Sequence, residues 1–280
     1  MKSGDFIKAF FILFLLSLCL VAEAAEFKLT SRVVVLGAPR LNLILNEEYL
    51  ITHTLVKARS KGKYSEDVVA FQNLAWNMNE AAYRQLRQEG FSSELNAMSS
   101  NADFLKTYSQ FFNLLKNTPE YKLILKEVQD YMSESLYEWD TNLEKSVPFM
   151  LKYSGFTFNY DVYTYITHPA VGNGRNWGSL MGNKTITFGA WPTFANYFTV
   201  YIWHEIIHFY MESDEISHAV NQLLTDNQLR IFFNGGTLTP LEGHKDLMNI
   251  MEKNLDRWQE YKKSPTDLNL FVKQIIKLKK

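Results

Sequence analysis

Residues 201–210 read "YIWHEIIHFY", an apolar and aromatic run with His204, Glu205 and His208 in its middle. Ile202, Trp203, Ile206, Ile207, Phe209 and Tyr210 surround nearly the whole circumference, so as a helix the segment belongs in the interior. Two imidazoles and a carboxylate buried there without partners would cost several kcal/mol. The spacing names a partner. His204 and His208 are four apart and lie one turn apart on one helix face, where both can reach a single zinc ion. Glu205 is rotated by about 100° from His204 and borders that position without competing for it. The alternative, a solvated helix with both histidines facing water, conflicts with the apolar flanks on either side.

The pattern H-E-x-x-H is that of the zincin metallopeptidases, and "HEIIH" matches it at every defined position. The chain resembles that family specifically over residues 197–230. The resemblance implies zinc as cofactor, His204 and His208 as ligands, and a peptide or protein substrate. It also implies Glu205 as the general base in metal-assisted hydrolysis.

Catalytic zinc usually takes three protein ligands. The gluzincin branch supplies a Glu from a segment like N-E-x-x-S-D. Here "NQLLTD", residues 221–226, is similar, but Gln222 stands at the ligand position and a neutral amide is a poor substitute. His218 is the first candidate in its place, at the start of "SHAVNQLLTDNQLR", where His218, Gln222 and Asp226 form a polar stripe at helical spacing. Asp226 is the alternative third ligand, or else binds the outer nitrogen of a ligand histidine. Glu212, one turn beyond His208, would need a bent helix. For the oxyanion, Tyr163, Tyr165, His168, Tyr201 and His244 are all candidates. Tyr197 and Tyr201 share the histidine face and also read as core aromatics. His53 reads as a core or surface histidine, and His168 as a loop residue before Pro169.

Residues 1–24 have the form of a secretory signal peptide: Lys2 and Lys8, the apolar "AFFILFLLSLCLVA", then Ala22-Glu23-Ala24 as a small-x-small cleavage site. The apolar run is shorter than the roughly 20 residues a spanning helix needs, although an uncleaved anchor is the competing reading. Leu18 precedes Cys19 where a lipoprotein box needs a small residue. Cys19 is the only cysteine, so the exported chain would have no disulfide and no thiolate metal ligand. Charge is nearly balanced, 29 basic against 30 acidic residues, and no basic block argues for nucleic acid. The expected setting is secreted or periplasmic, without stable membrane insertion once the signal is removed; the sequence does not fix the oligomeric state.

The rest of the chain, 15% aromatic, supports a sizeable core. "FKLTSRVVVLGAP" (27–39) reads as a strand. Residues 41–148 carry mainly helical spacing, with Gly90 ending one helix and Pro119 starting another. "FTFNYDVYTYIT" (156–167) alternates as a strand, "HPAVGNGRNWGSLMGN" (168–183) reads as a glycine-rich loop, and "KTITFGAWP" (184–192) as a second strand. The HEIIH helix is expected over about 195–211. This predicts an α+β fold, mainly helical, with a small sheet and a buried HExxH helix packed on a second helix. By resemblance the latter would form a zincin-like catalytic core. The division is signal peptide 1–24, a mainly helical region 25–150 and a zincin-like catalytic region 151–280. The leading expectation is a secreted zinc metallopeptidase. Its rivals are a catalytically inactive zincin-like binding or structural module, motivated by Gln222, and a helical binding protein with a fortuitous HEIIH.

Overall fold

A computed structural model of the chain describes residues 26–57, 65–90, 102–180 and 182–278. The expected signal peptide and Cys19 lie outside the described residues. The fold is α+β, dominated by helices around a five-stranded mixed sheet of order β1-β2-β3-β5-β4. The strands are β1 (Glu26–Thr30), β2 (Arg40–Asn46), β3 (Asp161–Ile166), β4 (Asn173–Leu180) and β5 (Asn183–Gly189). The central pairs β2–β3 and β3–β5 are parallel, and the outer strands β1 and β4 are antiparallel to their neighbours. The sheet thus draws strands from both sides of residue 150. No helix among the described residues is long and apolar enough to cross a membrane.

Two strands differ from the sequence reading. The strand expected over 27–39 ends at Thr30, because the Ser31 hydroxyl is held by Asp140 at 2.5 Å and Gly37, at φ 82°, turns the chain back. Val34 and Leu36 beyond it are almost fully exposed. Residues 40–46, expected to be helical, form β2 instead. Leu41 to Leu45 are all buried, and a short continuously apolar run fits a two-face-buried strand as well as a helix. Asn46 then starts α1 (Glu47–Val56) by accepting from the Tyr49 N–H at 2.9 Å.

The helical expectation holds for the rest of the N-terminal half. α2 (Glu66–Met78) and α3 (Glu80–Gly90) are separated at Asn79, which leaves helical geometry at φ −158° and caps α3 with its own side chain on Ala82. α4 (Ala102–Lys116) follows. α5 (Pro119–Ser154) begins with Thr118 as N-cap and Pro119 in its first turn, and ends at Gly155 in the left-handed region at φ 71°. It passes through Pro148, where the buried Val147, Phe149 and Met150 hold the turn that the missing N–H weakens.

Alternation along the sheet sets its two faces. Val162, Thr164 and Ile166 of β3, with Ile186 and Phe188 of β5, are buried on one. Tyr163 and Tyr165 lie on the other, where Tyr165 packs edge-on against Tyr49 of α1. The glycine-rich stretch expected as a loop is largely the edge strand β4. It is interrupted by a bulge between Asn176 and Ser179, where Gly178 adopts φ 68°.

The HEIIH segment is α6 (Tyr197–Ile207), with His208 as its C-cap. Trp203 is fully buried between Trp139 of α5 and Phe158, at ring distances of 5.4 and 4.9 Å. Asn196 sits left-handed at φ 62° and makes no side-chain cap. The cap comes from α5, where Glu138 accepts from the Thr199 N–H at 2.7 Å. After a short turn come α7 (Glu215–Gln222), a π-helical segment (Leu223–Leu229) and α8 (Arg230–Asn234), continuous with one another. α9 (Met248–Lys253), α10 (Leu255–Lys263) and α11 (Leu268–Lys277) complete the chain.

Replacing Glu138 with Ala leaves the start of α6 without its borrowed cap. The expected loss is about 1–2 kcal/mol, read as a lower urea midpoint with an unchanged slope.

Candidate metal centre

α6 delivers His204 and His208 one turn apart, and their Nε2 atoms lie 3.1 Å from each other. His218 comes from the first turn of α7. That turn is fixed by Asp214, whose carboxylate accepts from the Ile216 and Ser217 N–H groups at 2.9 and 3.0 Å. One ligand nitrogen from each of His204, His208 and His218 lies within 4.8 Å of the others, the sole such group among the described residues. Two nitrogens on one tetrahedral zinc are about 3.3 Å apart, given Zn–N bonds of about 2.0–2.1 Å. The His204–His208 pair already has nearly that separation. The donor set therefore fits zinc.

Asp226 stands behind His204. Its Oδ1 accepts from His204 Nδ1 at 2.9 Å in a fully buried contact, which turns the Nε2 lone pair toward His208. Oδ1 also accepts from the Thr225 hydroxyl at 3.1 Å. The His204 main-chain carbonyl accepts from Asn221 at 2.9 Å. Burial opposes protonation of His204, but the attraction and hydrogen bond of Asp226 outweigh it and its pKa lies above the usual histidine value. His208 and His218 shift the other way. Burial, followed by repulsion from His204, pushes them to about 3 and about 4, so both are neutral imidazoles at physiological pH and able to ligate.

Glu205 is 7% exposed, and burial raises its carboxyl to about 7 against the attraction of His204. The edge strand β4 closes over it. Asn176 donates to the Glu205 main-chain carbonyl at 2.6 Å. A Cβ on Gly174 would sit 3.2 Å from Glu205 Oε1, so only glycine leaves this approach open. Tyr201 stacks along the same helix face, its ring 6.2 Å from that of His204 and 4.5 Å from that of Tyr197.

Of the residues offered as third ligand, His218 faces the histidine pair, Asp226 binds the back of His204, and Glu212 is exposed to solvent. Gln222 is fully buried. Its Oε1 accepts from the His244 N–H at 3.2 Å, and its Nε2 lies 3.5 Å from His218 Nε2. Among the oxyanion candidates, Tyr163 and Tyr165 are on the opposite sheet face from Val162, Thr164 and Ile166. His168 is buried and bonded to Glu127 at 2.6 Å. Tyr201 and His244 are beside the imidazoles, the His244 ring 4.9 Å from that of His218. His53 is a buried residue of α1.

Sequence reasoning missed Asn176, Gly174 and Asn221. Gly174 and Asn176 sit in a stretch whose glycines mask a strand; Asn221 is a helical polar residue with no motif of its own. Compared with protein-family models, curated proteins and solved structures, the chain matches none.

The buried histidines give the metal-free chain a defined response to acid. His53, His168, His208 and His218 are all lowered by burial, to about 3, 4, 3 and 4. Below the ordinary histidine value of 6.5 the unfolded chain takes up protons that these folded sites refuse, so stability falls as pH falls from about 6.5 toward 4. Glu205 and His204, raised in the folded state, oppose this, as do the raised carboxyls of Glu127 and Glu138. With four full histidine shifts on one side, the expected urea midpoint of the metal-free protein is lower at pH 5 than at pH 7. An equal or higher midpoint at pH 5 would reject neutral burial of these side chains.

Proposed function

We propose that the protein is an exported zinc-dependent peptidase, with His204, His208 and His218 holding the metal and Glu205 as general base. The observation that carries this is the convergence of three imidazole nitrogens within 4.8 Å beside a buried carboxylate on the same helix. Zinc bound there supplies Lewis acidity, lowering the pKa of water and polarising a substrate carbonyl. Glu205, raised by burial to about 7, takes a proton from the attacking water and returns it to the leaving amine, work suited to a group titrating near the working pH. Asp226 fixes the tautomer and orientation of His204. Asn176 and Asn221 hold the main chain of Glu205 and His204 in register with β4 and α7.

A peptide substrate is supported by the free edge of β4, to which an extended chain can add as a further strand. Gly174 of β4 leaves the Glu205 carboxylate open to that edge. The Tyr201 hydroxyl, raised well above the ordinary tyrosine value by burial, remains a protonated donor for a developing oxyanion. The second reading, a zincin-like module without turnover, is favoured by Gln222, whose amide is engaged with His244.

Purified protein is expected to hold about one zinc per chain, and His204→Ala to lose it. Glu205→Gln should keep the zinc yet cleave an unfolded protein substrate slower by about a hundredfold or more. Wild-type speed in Glu205→Gln would remove the general base from the reading. Full zinc with no cleavage by the wild type would favour the module instead.

Asp226→Asn separates orientation from ligation. It should weaken zinc binding by about ten- to hundredfold without abolishing it, as measured against a competing chelator.

A further inference from the structure

Three imidazoles leave one side of the cluster open, and a fourth imidazole lies at it. His244 is exposed, on the segment between α8 and α9, with its ring 4.9 Å from that of His218 and tilted by 60°. The same histidine bears electrostatically on both His208 and His218, so it stands near the pair and not only near its immediate neighbour.

The segment that carries it is built as a strap. Residues 235–247 are mostly exposed. Gly235, Gly236 and Gly243 have φ of 71°, 99° and 137°, values that leave the backbone free of side-chain restraint at both ends. Two fully buried amides tether it to α7 and the π-helical segment. Asn227 pairs with both main-chain groups of Glu242, donating at 2.9 Å and accepting at 2.8 Å. Gln222 accepts from the His244 N–H itself. A Cβ on Gly243 would fall 2.4 Å from Gln222 Oε1, so glycine is what lets the strap come this close. Neither amide contributes a charge to the cluster; both govern where His244 stands. Little apolar surface has to be exposed to lift such a segment, which places it among the parts of a fold that open at low cost.

We propose that His244 is a displaceable fourth ligand, so that the strap closes the metal in a four-imidazole shell and opens it to substrate when it lifts. This rests on the metal reading of His204, His208 and His218 and adds its regulation. The difference matters chemically, because zinc sites closed by four protein ligands are structural whereas those with three and an open position are catalytic. The strap would let one chain occupy either condition. Gln222 then has a reason to be an amide: it holds the His244 backbone and does not take the ligand position.

The test uses the full exported chain, with zinc as probe. X-ray absorption of the zinc-loaded wild type is expected to count four imidazoles, and that of His244→Ala and His244→Gln three. Chelator competition should show both variants binding zinc more weakly by at least the roughly tenfold that loss of a ligand's hydrogen-bonding partner costs. Hydrolysis, where present, should be faster in the variants, since the cap is gone. Four imidazoles in the wild type, falling to three in both variants, carry the proposal. Three in the wild type with unchanged affinity in both variants overturn it while leaving the three-histidine site intact. A wild type that binds no zinc overturns the metal reading itself. Slower hydrolysis with unchanged zinc affinity would make His244 a donor to the reacting carbonyl, and the cap would be rejected. Because His244 is exposed, neither substitution disturbs the core.

Discussion

The contact between Asp226 and His204 Nδ1, 2.9 Å long and shut away from water, is the constraint on which the C-terminal half depends. An imidazole on an apolar helix needs a partner for its second nitrogen, and here that partner comes from 22 residues downstream. To present it, the chain must reverse after His208, set Asp214 as a cap, and bring the following helix across α6. His218 arrives at the cluster as part of the same reversal. The pairing of Trp203 with Trp139 and Phe158 fixes the other side of α6, so the helix is clamped by packing on one flank and by polar contacts on the other. Because packed interiors resist small displacements, that clamp defines where each imidazole nitrogen sits.

The cost of such a site appears in the protonation behaviour of its members. Burial drives His208 and His218 away from charge and Glu205 toward neutrality, while Asp226 alone holds His204 toward the charged form. These opposed shifts within one turn of helix mark groups whose environment serves chemistry more than folding. The N-terminal helices contribute support at a distance. α5 reaches the sheet through Asp140 and Ser31, the start of α6 through Glu138, and the core through Trp139, all within three consecutive residues.

Much of this was legible in the residues. The apolar surround of His204 and His208 announced burial, and their spacing announced a shared target; the alternation around Val162 to Ile166 announced β3. The α+β class followed. What stayed hidden has common causes. β2 is a continuously apolar run of few residues, in which periods of 2 and 3.6 cannot be separated. β4 is written in glycines that serve a bulge and the clearance around Glu205, so its sequence looks like a loop. The break at Asn79 turns on one side chain able to cap in place of continuing a helix. Gln222 was read by analogy with a ligand position; its actual partners come from a strap 22 residues away that no local pattern announces.

The π-helical segment from Leu223 to Leu229 has a consequence for how this chain can change. Hydrogen bonds to the fifth residue on, in place of the fourth, accommodate extra residues within a helix that is otherwise continuous from Glu215 to Asn234. Asp226 sits inside that widened stretch and His218 before it, so the angular offset between them is a property of chain length as well as of residue type. Removing one residue from the segment would restore ordinary α geometry and rotate everything after it by about 100°, carrying the carboxylate off His204 with every side chain still chemically intact. Across descendants of this chain, conservative exchanges at many positions along this helix are compatible with the site, while a one-codon deletion there is not.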